Sequence, residues 1–182
     1  VELHDFPGEI MSFTVAAGAI IWVSLNDRVQ AYRIDAEGNV EFIREILTDV
    51  LLARMESDGN GRIWGWTPLT PLLEIDGTKP TDGDFRWHEE IAGMDLRVDD
   101  HEFAVTRDGP VLVFEDRLVC FDPLRSEWRS GFIDHGKGIP EALAFRAEKG
   151  LLMGWLIYWD AKNSCHLMKK VEWEQEGSLD WE

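Results

Sequence analysis

The sequence predicts an all-β chain built from about four repeats of a four-stranded antiparallel unit. Three observations lead there. Short apolar runs rich in Val, Ile, Phe and Trp alternate with Gly, Asp, Asn and Pro, which is the chemistry of strands and tight turns. One phrase recurs: "IIWVSLNDRVQAYRID" (20–35) and "RIWGWTPLTPLLEID" (62–76) share an Ile-Trp opening and an Ile-Asp close. Two looser copies, "PVLVFEDRLVCFDP" (110–123) and "GLLMGWLIYWDA" (150–161), extend the series. The closing aspartates Asp35, Asp76, Asp122 and Asp160 are spaced 41, 46 and 38 residues apart.

Each unit opens with an apolar strand: "IMSFTVAA", "VLLARME", "HEFAVT" and "EALAFRA". A turn with glycine follows, at Gly18, Gly61, Gly109 and Gly150, supplying the positive backbone dihedrals that hairpins need. The second strand carries Trp22, Trp64, Leu112 or Met153, and the third closes on the aspartate. These inner strands are apolar at nearly every residue, as expected where both faces are packed. The fourth strands read "NVEFIREI", "DFRWHEEI", "EWRSGFI" and "CHLMKKVEW". In the first of these, Val40, Phe42 and Glu45 break strict alternation, which suggests a twisted outer strand. A helical reading of "VEFIREILTDVLLARME" would put Ile43, Leu47 and Val50 on one face. Strands are preferred, because "LTDV" falls where every other unit has a connecting loop.

A four-stranded unit recurring every 40–45 residues is the grammar of a β-propeller blade. A twisted sheet with two apolar faces buries both by stacking against neighbours, and Trp22 and Trp64 would fill the space between sheets. The approximate units are 9–47, 50–92, 96–133 and 140–175, read as one propeller-like domain over 1–182. Three outcomes are open: a closed four-bladed ring, a half ring completed by a partner or second copy, or part of a larger propeller. "VELHDFP" would supply a closing strand, and "VEWEQEGSLDWE" would run on as a partner-seeking end.

The units resemble the blades of PQQ-like, streptogramin-lyase-like and two-component-regulator propellers. "DGNGRIWGW" (58–66) carries the resemblance best, followed by "AAGAIIWVSLNDRVQAYRID". It extends to blade grammar over nearly the whole chain and to no family's active site. The Trp-Asp and Gly-His pairs of WD40 repeats are missing at their expected places.

Composition narrows the partners. Eighteen Lys and Arg against thirty-five Asp and Glu give a net charge of −17. That field repels phosphate backbones and anionic lipid, and no basic patch exceeds Lys169–Lys170, so neither nucleic acid nor membrane is an expected ligand. No run of about 18 apolar residues occurs. The chain opens at Val1 without a signal-peptide pattern. Cys120 and Cys165 have no zinc spacing and read as buried reduced thiols, which fits the cytoplasm or another reducing compartment.

Candidate sites follow from the loops. The face formed by second-to-third-strand turns and inter-unit loops would hold Arg28, Trp66, Leu69, Arg117, Asp134, His135 and Lys137, a surface for another protein. Within "TPLTP" (67–71), two prolines flank Leu69, which next to Trp66 would anchor a partner. Arg54, Arg107 and Arg146 on the first strands would line a central channel, with Glu56 and Glu148 near enough to cap Arg54 and Arg146. "DGNG" reads as a hairpin turn rather than half a calcium loop, and the acidic clusters "TDGDFRWHEE" and "RVDDHE" as solvated turns. No metal and no cofactor is expected. No GxSxG or phosphate loop appears, and Cys165 and His166 are separated by strand alternation. The favoured function is a non-enzymatic protein-binding module or scaffold. The alternatives are a small propeller enzyme of lyase or hydrolase type using His135 at the channel, and a propeller fragment of a larger assembly.

Overall fold

A computed structural model describes residues 8–99, 101–114, 117–122, 125–132, 141–148, 151–160, 162–174 and 179–181. It is all-β, with no helix among the described residues, and its strands form four four-stranded antiparallel sheets and one small hairpin. The first sheet has strands β1 (Ser12–Ala16), β2 (Ile20–Ser24), β3 (Arg28–Ile34) and β4 (Val40–Leu47); the second has β5 (Arg54–Ser57), β6 (Arg62–Trp66), β7 (Leu72–Asp76) and β8 (Phe85–His88). The hairpin pairs β9 (Glu90–Ile91) with β10 (Met94–Asp95). The third sheet has β11 (Glu102–Val105), β12 (Pro110–Val113), β13 (Arg117–Asp122) and β14 (Glu127–Phe132). The fourth has β15 (Ala142–Glu148), β16 (Leu151–Asp160), β17 (Cys165–Glu174) and β18 (Leu179–Trp181). Within each sheet the strands pair in chain order, as in a propeller blade.

The chain divides into two compact units, one of residues 1–57 and 61–88 and one of 58–60 and 89–182. In the first unit the inward faces of the first two sheets share a core of Trp22, Val29, Ala31, Ile46, Met55, Ile63, Leu73 and Ile75. Hydrogen bonds tie those sheets together: Met55 N donates to Ser12 Oγ at 2.9 Å, and Ser24 Oγ donates to the Leu52 carbonyl at 2.9 Å. An Arg44 guanidinium nitrogen donates to the Gly83 carbonyl at 2.7 Å. In the second unit Val111, Val113, Leu118 and Cys120 pack on Leu152, Leu156 and Val171.

The closing aspartates turn out to be turn builders. Asp35 Oδ1 accepts from the amides of Glu37 and Asn39, and Asp76 Oδ1 from the amide of Thr78. Asp122 Oδ1 accepts from Arg125 N and Asp160 Oδ1 from Lys162 N. A side-chain oxygen catching amides two to four residues on is the Asx-turn device, which explains why the aspartate recurs where the chain reverses. Outer-strand irregularity also has a cause. Ala31 pairs with Arg44 and Tyr32 with Phe42, so Ile43 is an inserted residue, a β-bulge that turns it toward the core.

The fourth sheet departs from the expected pattern. "LLMGWLIYWD" is one unbroken ten-residue strand, β16, so Asp160 closes the second strand and not the third. No turn residue interrupts it except Gly154, whose missing Cβ leaves room for the Phe145 ring. Cys165–Glu174 therefore becomes the third strand, and 179–181, expected to run on past the sheet, supplies the fourth. Residues 1–7, expected as a closing strand, lie outside the described residues.

Candidate functional site

At one end of the first unit, the two second-to-third-strand turns meet the segment linking β4 to β5. Thr48 N donates to the Asp27 carbonyl at 2.9 Å, which sets that segment against the first turn. Thr67 Oγ1 accepts from Ala53 N at 2.7 Å and lies 2.7 Å from the Leu51 carbonyl, which sets it against the second. Thr70 Oγ1 donates to the Thr67 carbonyl at 2.8 Å and closes the turn on itself. Pro68 fixes the first central position of that turn, and Leu69 occupies the second at φ 57°. Glycine is the easy choice there, since a Cβ crowds the left-handed region. Leu69 is nonetheless 49% exposed, with Leu51 also exposed on the neighbouring segment.

Arg28 stands at the same end, but its charge is used within the chain. Its guanidinium donates to Asp27 at 2.7 and 3.0 Å and to Glu45 at 3.2 Å. These hydrogen bonds raise its pKa above the ordinary arginine value and hold Asp27 below the usual carboxylate range. Arg28 thus stiffens the rim of the turn. Trp66 is 8% exposed and belongs to the interior, because the strand β6 ends on it and the turn begins only at Thr67.

In the second unit Arg117 lies over the Phe132 ring, 5.0 Å from its centroid, and reaches the Ala92 carbonyl at 3.5 Å. The two residues are register partners on β13 and β14, which is why they meet. Phe132 is 72% exposed. Asp134, His135 and Lys137 lie outside the described residues.

The three proposed channel arginines have different settings. Arg54 Nε contacts Glu56 Oε1 at 2.5 Å on its own strand. Arg107 is not on a strand but in the turn after β11, where its carbonyl accepts from Gly59 N at 2.8 Å. Arg146 stands midway along β15, opposite Met153. Glu148 closes that strand, and its side chain lies outside what is described.

An unforeseen charged cluster sits on the second sheet. Glu74 Oε1 takes Arg62 Nε at 3.0 Å, and Glu74 Oε2 takes Arg86 Nε at 2.6 Å and His88 Nε2 at 2.8 Å. Burial pushes the Glu74 carboxyl up, but the His88 and Arg86 hydrogen bonds and charges outweigh it, leaving the group below its ordinary value. A carboxylate held anionic by three donors is a structural anchor and a poor general acid. The register pairs Glu74 with Arg86 and with Trp64, so all three share one face. Alternation of "FRWH" against "LLEID" was the sequence signal for this cluster. The other described histidines are likewise engaged: His101 Nδ1 with the Asp99 carbonyl at 2.8 Å and His166 Nε2 with Glu141 at 2.9 Å.

No protein-family model matches the sequence, and no curated protein matches it either. Solved structures do match in fold. Over 96% of this chain and 44% of the other, the N-terminal domain of Nup159 superposes with a TM-score of 0.58 at 9% identity. Apo AztD from Citrobacter koseri matches 98% of this chain and 50% of its own, at TM-score 0.57 and 13% identity. Sqt1 from Saccharomyces cerevisiae matches 87% and 46%, at TM-score 0.57 and 8% identity. This chain thus spans about half the length of each. Identities this low carry the fold alone, and the fold is propeller-like.

Proposed function

We propose that the chain is a non-enzymatic protein-binding module, docking its partner on the loop end of the first unit with Leu69 at the centre. The observation that supports it is an exposed leucine held in a left-handed turn by Pro68 and the hydroxyls of Thr67 and Thr70. Backbone strain of this kind persists where the surroundings over-determine it, and it clusters at functional positions. Leu51, exposed on the segment whose carbonyl lies against Thr67 Oγ1, adds apolar surface at the same end, where the Arg28–Asp27 and Arg28–Glu45 ion pairs also stand. With a net charge of −17, a basic or neutral protein surface is the fitting partner, and nucleic acid and anionic membrane are not. Free thiols at Cys120 and Cys165 fit a reducing compartment. Likeness to propellers such as the Nup159 N-terminal domain and Sqt1 fits a module of this kind.

Quantitative capture from an extract of the source cells tests it. Wild type, Leu69→Asp and Leu51→Asp serve as baits, with Val98→Asp, at another exposed apolar position, as the control. A protein recovered by wild type and control but depleted at least tenfold by both leucine variants supports the reading. Equal recovery on all four baits contradicts it.

A further inference from the structure

We propose that Asn60 is a site of spontaneous covalent modification, which the native turn leaves open to conversion into aspartate and isoaspartate. Asn60 and Gly61 belong to the "DGNG" segment that joins β5 to β6. Asparagine is a thermolabile residue, and its side-chain amide is attacked by the backbone nitrogen of the residue that follows. A side chain on that next residue stands in the way of the attack. Gly61 has none, and as a glycine at φ 82° it turns with little steric resistance.

The chemistry needs only water. The Gly61 nitrogen gives up its proton to solvent and bonds to Asn60 Cγ, and the side-chain nitrogen leaves as ammonia. The product is a succinimide ring that holds the Gly61 nitrogen between Cγ and the main-chain carbonyl carbon of Asn60. Water adding at Cγ breaks the Cγ–N bond and gives aspartate. Water adding at the main-chain carbonyl breaks the C–N bond there and gives isoaspartate, with the chain routed through the side chain. One amide has been exchanged for one acid, and nothing is oxidised or reduced.

The chain has four asparagines, and their settings differ. Asn39 Nδ2 donates to Asp35 Oδ2 at 2.7 Å, and β-branched Val40 follows it. Asn163 Nδ2 donates to Asp160 Oδ2 at 2.7 Å, and Ser164 follows. Asn26 precedes Asp27, which brings both a side chain and a negative charge to the attacking residue. Asn60 is exposed, and its Nδ2 reaches only the carbonyls of Arg107 at 3.5 Å and Asp108 at 3.4 Å, beyond the ordinary hydrogen-bond range. The neighbouring Asp58-Gly59 step is held more firmly. Asp58 is buried with Oδ1 accepting from Asn60 N at 2.8 Å, and the Gly59 nitrogen donates to the Arg107 carbonyl at 2.8 Å.

Conversion has a local consequence. It replaces the Nδ2 donor with a carboxylate oxygen that faces the two carbonyls as a third acceptor. It also sets a new negative charge beside buried Asp58, in a chain already at −17. The turn carrying Arg107 and Asp108 is thereby loosened from the "DGNG" segment.

Peptide mass spectrometry on the folded chain, held in warm, mildly alkaline buffer and sampled over time, tests the proposal. Trypsin releases Met55–Arg62, which contains Asn60 and no other asparagine. The expected result is that this peptide gains the mass of the acid at least tenfold faster than the peptides carrying Asn26, Asn39 and Asn163. Its product should separate into two isomers, with isoaspartate among them. Conversion at Asn60 no faster than at Asn26 overturns the proposal. Conversion confined to a urea-unfolded sample overturns it too, because the native turn would then be protective. Asn60→Asp carries the charge of the product and should melt at a lower temperature than Asn60→Ser. Equal melting of the two variants overturns the stated effect on the fold.

Discussion

His88 Nε2 and Glu74 Oε2 lie 2.8 Å apart, inside a cluster where the same carboxylate also binds Arg62 and Arg86. The folded state therefore prefers the ionised glutamate more strongly than the unfolded chain does. Such a group stabilises the fold above its ordinary pKa of 4.5, and that stability is lost as pH falls through the lower folded value. Denaturant melts of wild type should weaken progressively below about pH 5. Glu74→Gln should flatten that acid limb and cost about 2 kcal/mol at pH 7, since it leaves two arginines short of a counter-charge. An unchanged acid limb in the variant would remove Glu74 from the account of acid sensitivity.

Leu69 gives a prediction in which stability and function separate. Glycine at φ 57° relieves Cβ crowding but loosens the unfolded chain, and these effects nearly cancel. Leu69→Gly should thus stay within about 0.5 kcal/mol of wild type, whereas Leu69→Val, β-branched, should lose about 1–2 kcal/mol. A loss above about 1 kcal/mol in the glycine variant would show a packed leucine rather than a presented one.

Gly83 is the tightest backbone approach in the first unit. Its amide donates to the Lys79 carbonyl at 2.7 Å, and an added Cβ would meet that oxygen at 2.5 Å and the Asp76 carbonyl closer still. Neither oxygen can move without opening the turn, and the Gly83 carbonyl holds Arg44 of β4. Gly83→Ala should cost about 2–4 kcal/mol by thermal melting. Gly8→Ala, with open space around it, should cost almost nothing.

The two thiols should differ in reactivity. Burial pushes the Cys120 thiol up to about 12, while Cys165 is half-buried at the start of β17. The thiolate is the nucleophile, so at pH 8 only about one Cys120 in ten thousand is reactive. A thiol-disulfide reagent should titrate one group in the native protein and two after unfolding. Two fast groups in the native protein would contradict the buried setting.

Much of this architecture was legible in the residues. The recurring Ile-Asp close predicted the sheets because each aspartate builds the turn that ends a strand, a local requirement written locally. Irregular alternation at Val40, Phe42 and Glu45 suggested a twisted outer strand, while the bulge at Ile43 that causes it became visible only in the strand register. The fourth unit was misread because an aspartate builds the turn after a long second strand as well as after a short third one, and "GLLMGWLIYWDA" has no residue to mark the difference.

The candidate site was less legible. Leu69 could be picked out from its flanking prolines, but Trp66, adjacent in sequence, is buried because one residue decides whether a side chain lies on the strand or the turn. Glu74, Arg62, Arg86 and His88 meet through the register of three strands, which no single segment shows. The pairing of Arg117 with Phe132 is of the same kind.

Photo-crosslinking from position 69 tests the central claim most directly. A benzophenone amino acid replaces Leu69 in one sample and Val98, exposed in the second unit, in another, and both are irradiated in extracts of the source cells. The account predicts a discrete adduct from position 69 that disappears in a Leu51→Asp background, and none of that mass from position 98. No adduct from position 69, or the same adduct from both positions, would contradict docking on this end of the first unit.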